Sequence, residues 1–131
     1  MVDERQARPD RPAAVPLFHI RIGEKLEQLR QEPTWRQRGR NAITLIKQPA
    51  LGVILMLLGH GSKMHEHQAA GPMTLQVLSG SVRFLAAGRT LTLGPGEVVI
   101  LESAVEHEVE ALEESACLLT LVNPVWHTAN M

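Results

Sequence analysis

The stretch VEHEVEAL, residues 105–112, decides the fold. Val105, His107, Val109 and Ala111 alternate with Glu106, Glu108 and Glu110, a pattern that an extended strand sorts onto its two faces. The glutamates take the solvent side and the apolar residues the core side, which turns His107 inward. An imidazole in a core must be hydrogen-bonded or ligating, because leaving it unsatisfied costs about 1–3 kcal/mol.

Outward from this strand the chain reads as more of the same. GPGE is a loop, VVIL a strand and ACLLTLV the last strand. Ala87-Gly88 makes a tight turn before RTLTL, while MTLQVLSG and SVRFLAA flank Ser79-Gly80 and read as a hairpin. LGVILMLL, residues 51–58, is apolar on both faces, the mark of a strand buried on two sides, and AITLIK precedes it. Short strands separated by glycine turns predict an all-β sandwich or barrel. One stretch has helical periodicity: in GEKLEQLRQE, residues 23–32, Leu26 and Leu29 share a face with Ile22, and Pro33 ends the helix. RQRGRN then reads as a turn. Residues 1–16, rich in Arg, Asp and Pro, read as a mobile tail, and residues 17–131 as a single domain.

Composition excludes several function classes. A net charge of −1 offers no electrostatic footprint for nucleic acid or an anionic membrane, and no apolar run is long enough to span a bilayer. With no Tyr, two Phe and two Trp, base-stacking modules and aromatic cages are disfavoured. The opening MVDERQARPDRPAAVP lacks the apolar core of a signal peptide, and the single cysteine, Cys117, suits a reducing compartment, so a cytoplasmic location is expected. Cys117 sits in a strand-like run and reads as a buried structural thiol.

His107 has candidate companions in GHGSKMHEHQAAGPMTLQVLSG, residues 59–80. If the segment is extended, His65 and His67 leave one face of the strand, and Met64, Glu66 and Gln68 the other. Two imidazoles from one strand and a third from another make a facial set of neutral ligands with open positions for water or substrate. The plainer reading is a satisfied core histidine and a polar loop. His60 between glycines reads as an exposed turn residue, and His19 and His127 have no evident partner.

The arrangement resembles the cupin superfamily. Gly59, His65, His67 and Gly80 match the first cupin motif, and Gly96, Glu97 and His107 fit the second, within a region of about residues 41–122. The resemblance implies a jelly-roll β-barrel preceded here by a short helix, often homodimeric, with metal and substrate inside. It departs at Met73, which stands where the family has its ligating glutamate, and at Glu102, where the second motif has proline. A thioether is a poor ligand for the usual divalent ions. Family members with three histidines and no glutamate include iron-dependent dioxygenases, so the implied metal set is His65, His67 and His107, holding Fe, Mn, Zn or Ni. Met73, Leu75, Val77, Phe84, Val105 and Val109 would line an apolar pocket for a small-molecule ligand or substrate. Three functions stay open: a metal-dependent enzyme of oxygenase, isomerase or lyase type; a non-catalytic sensor or storage protein that binds a small ligand or a metal alone; or a metal-free structural module. AITLIK and LGVILMLL present more apolar β surface than one small barrel covers, which predicts a homodimer.

Overall fold

A computed structural model describes residues 16–66 and 71–124. Residues 1–15 of the expected tail, His67, Gln68 and His127 lie outside the described residues. Two antiparallel sheets follow two short helices: α1 (Ile22–Gln31), α2 (Pro33–Arg38), β1 (Arg40–Lys47), β2 (Leu51–Leu58), β3 (Lys63–Glu66), β4 (Met73–Ser79), β5 (Val82–Ala86), β6 (Arg89–Leu93), β7 (Val98–Leu101), β8 (His107–Ala111) and β9 (Ser115–Val122). The first sheet has the order β1-β2-β9-β4-β7 and the second β3-β8-β5-β6. This is the all-β fold that the alternation predicted, in the jelly-roll form, preceded by a short helix, that the cupin resemblance implies.

The apolar pattern of β2 is explained by where its two faces go. Met56 and Leu58 point between the sheets, joining Leu75, Val77, Val82, Phe84 and Val109 in one core. Leu55 and Leu57 point the other way, into a second core with Leu29, Ile43, Leu45 and Ala116, closed by Leu26, Ile22 and Trp35 of the helices. The chain's own helices thus cover part of the apolar surplus, while Leu51 and Val122 at the far end of the sheet remain exposed. Asn41 fastens that cover. Its Nδ2 donates to the Leu29 carbonyl at 3.0 Å and to Glu32 Oε1 at 2.9 Å, while its Oδ1 accepts from the Ala42 N–H at 2.9 Å. The Leu29 carbonyl belongs to the last turn of α1, where intrahelical donors run out, so Asn41 caps the helix from the sheet.

Two local expectations are corrected. Pro33 does not simply end a helix; it opens α2 at a position where a missing N–H costs nothing, and Gly39 (φ 68°) ends α2 by donating to the Trp35 carbonyl at 2.9 Å. Residues Arg36, Gln37 and Arg38 of the expected turn are thus helical. Nor do β4 and β5 form a hairpin. They belong to different sheets, and Ser79-Gly80 is the corner between them. Gly80 has φ 85°, and a Cβ there would collide with Ser115 Oγ and the Glu114 carbonyl. Ser115 Oγ also accepts from the Ser81 N–H at 3.0 Å, locking the corner against β9. A glycine turn between two apolar strands has the same sequence signature in a hairpin and in a jelly-roll corner.

Candidate functional site

The pairing register builds a row of side chains across one end of the second sheet. Ala86 of β5 lies opposite His107 of β8 on one side and Arg89 of β6 on the other. On the facing sheet, Met73 of β4 lies between Leu101 of β7 and Leu121 of β9. Short segments join the two rows, from Glu66 to Met73 and from Leu101 to His107, so both stand at the same end of the barrel.

The two ends differ in burial. Away from His107 the interior is sealed: Val77, Val82, Ala111 and Cys117 are buried. Near His107, inward residues of both sheets remain half-buried, among them Ile54, Leu119 and Leu121 on one side and Met64, Ala86 and Leu91 on the other. Strand β9 shows the gradient along its length, from buried Ser115–Cys117 to half-buried residues 118–121. Some inward side chains are thus less completely covered at this end, beside the buried Met73 and Phe84.

His107 is 5% exposed and lies at that end. Its ring stacks on Phe84, with centroids 5.8 Å apart and planes 17° from parallel. Nδ1 lies 3.2 Å from the Val105 carbonyl. A carbonyl only accepts, so Nδ1 carries the proton and the lone pair of the neutral ring sits on Nε2. The strand alternation thus places His107 as the sequence predicts, on the inner face between Glu106 and Glu108.

The other sequence candidates fall differently. His65 lies opposite Glu108, and Glu66 opposite His107, so the register sets His65 and His107 on opposite faces of the sheet. His65 is 44% exposed; its Nε2 is 3.0 Å from Glu106 Oε1 and its Nδ1 3.5 Å from Glu108 Oε2. The expectation that His65 faces His107 is corrected by this one-residue difference in register. Met73, Leu75, Val77, Phe84 and Val109 are packed core residues, whereas Val105 precedes β8 and contributes its carbonyl. His60 and His19 are exposed. Cys117 is buried, and desolvation pushes its thiol up to about 12. Among the described residues no group of three or more His, Cys, Asp or Glu is placed to hold a metal ion. The described donors do not form such a set: His65 is turned to the outer face, and Met73 offers a thioether inside a packed core. Arg89 was not singled out in the sequence, although RTLTL puts it in phase with Leu91 and Leu93.

The cupin-domain family model matches residues 52–123, more than half of the chain. The chain belongs to the cupin-domain family. Among solved structures, this cupin is similar to the conserved SPY1581 protein of Streptococcus pyogenes, with 23% identity and a TM-score of 0.63 over 69% of this chain and 79% of that one. It is similar to KdgF from Halomonas sp., at 16% identity and a TM-score of 0.63 over 68% and 84% of the two chains. Salicylate 1,2-dioxygenase from Pseudaminobacter salicylatoxidans superposes with a TM-score of 0.73 at 17% identity, and 86% of this cupin covers 37% of that chain. At these identities the likeness is one of fold. No curated protein matches the sequence. No helix among the described residues is long and apolar enough to cross a membrane.

Proposed function

We propose that this cupin binds a small, largely apolar molecule in the mouth of its barrel, with His107 as the polar anchor and without a metal ion. The observation that carries the reading is the burial gradient: inward-facing Ile54, Leu119 and Leu121 stay half-buried around a buried histidine, while the opposite end is sealed. An apolar concavity with one oriented polar group is the usual form of a small-molecule site. The Nε2 lone pair would accept a hydrogen bond from a hydroxyl or amide of the ligand.

The test is amide and methyl chemical-shift mapping with benzyl alcohol as probe, in chelator. Shifts confined to residues around His107, Ala86 and Leu121 are expected, with binding weakened in His107→Ala. Shifts scattered over the surface, or binding that requires added metal, would overturn the reading.

A second reading has one specific support. A histidine whose Nδ1 is held by a carbonyl presents Nε2 as metal-ligating histidines do. The three-histidine centre of His65, His67 and His107 requires β3, a four-residue strand that among the described residues pairs only with β8, to slip by one residue. That slip would withdraw Met64 from the core and break the contacts of His65 with Glu106 and Glu108. Elemental analysis after equilibration with Fe, Mn, Zn or Ni separates the readings. Sub-stoichiometric metal is expected; one bound ion per chain, lost in His107→Ala, would establish the metal centre instead.

A further inference from the structure

We infer that Arg89 selects the charge of the ligand: the mouth takes an amphipathic carboxylate, apolar body inward and anionic head at the rim. The inference rests on the ligand site proposed above and adds the substrate class. Directly paired residues on adjacent strands share a face. His107 pairs with Ala86 and Ala86 with Arg89, and Ala86 packs against the interior core. Arg89 therefore leaves the same inner face as His107, two strands away at the edge of the sheet. Neighbouring strands lie about 4.8 Å apart, so the Cα atoms of His107 and Arg89 are separated by about 10 Å. Between them in the register row stands Ala86, whose side chain is a single methyl group.

The electrostatic setting singles Arg89 out. Arg83 lies 2.7 Å from Glu110, Arg30 is 3.3 Å from Glu114, and Arg40 donates to the Lys63 carbonyl at 3.1 Å. The Arg89 side chain is exposed and makes no hydrogen bond or ion pair with any described residue. The acids of β8 are on the outer face, where they meet Lys63, His65 and Arg83. Arg89 is thus a cation at the edge of an apolar mouth with its donors uncommitted. A guanidinium binds a carboxylate through two parallel hydrogen bonds, a geometry that an alcohol cannot match.

The experiment compares 3-phenylpropionate with 3-phenylpropan-1-ol, matched in apolar body, by chemical-shift titration of the full chain at low salt. The acid is expected to bind about tenfold more tightly, with the gap narrowing as salt screens the exposed pair. In Arg89→Gln the two probes should bind alike. Arg89→Lys should keep part of the preference, and Arg38→Gln, which removes an exposed charge on α2, should keep all of it. Equal binding of acid and alcohol by the wild type, or a preference that survives Arg89→Gln, would overturn the role of Arg89 while leaving the site. Absence of shifts at Ala86 and His107 with either probe would overturn the site itself.

Discussion

His65 and His107 stand on adjacent antiparallel strands and face opposite sides of one sheet, because Glu66, not His65, is the register partner of His107. A one-residue offset along an edge strand separates a ring held between Glu106 and Glu108 from a ring stacked on Phe84. The cupin fold is kept, and the histidine pair that would serve a metal is divided between the barrel's outside and inside.

That division predicts unequal effects of two alanine substitutions. His107→Ala removes a buried ring, its stack on Phe84 and its bond to Val105, and should cost about 1–3 kcal/mol of stability. His65→Ala removes an exposed partner of two surface carboxylates and should cost about 0–1 kcal/mol. Urea midpoints of the two variants measure the difference. Equal losses would mean that both rings are structural.

The corner at Gly80 gives a steeper prediction. A methyl group there meets Ser115 and the Glu114 carbonyl while φ is 85°, so Gly80→Ala should destabilise by about 2–5 kcal/mol. Gly88, at φ 72° in the β5–β6 turn, has nothing within 4 Å of an added Cβ, and Gly88→Ala should cost only about 1–2 kcal/mol. In the same turn Ala87 has φ 51°, a conformation that asparagine tolerates, and Ala87→Asn should stabilise by about 0.5–1 kcal/mol. Thermal melts of the three variants order them.

Asn41 is the link between the helices and the first sheet. Asn41→Ala leaves the Leu29 carbonyl without its side-chain donor and should cost about 2–4 kcal/mol. Hydrogen exchange should show α1 and α2 losing protection before the second sheet does. Uniform loss across the barrel would contradict a local capping role.

Cys117 carries a pH signature. Burial pushes its thiol from 9.0 to about 12, so the unfolded chain ionises first as pH rises. The stability held by the neutral thiol is complete below pH 9 and is lost between pH 9 and about 12. Denaturant titrations across that window should show a decline that Cys117→Ala reduces, and iodoacetamide at pH 8 should label the thiol only after unfolding. Rapid labelling of the native protein would show the thiol to be accessible.

What residues alone settle here is whatever follows from periodicity. The alternation in VEHEVEAL turns His107 inward, the two-faced apolarity of LGVILMLL demands cover on both sides, and Ala87-Gly88 closes a hairpin; each is local geometry and each holds in the fold. Three matters belong to tertiary structure because they depend on contacts far apart in the chain. The outer face of β2 is covered by α1 and α2. The Ser79-Gly80 turn joins two sheets rather than two paired strands, since Ser115 closes against it. The register of β3 against β8 decides which side of the barrel His65 occupies, and a strand's own sequence does not state its register with a distant partner.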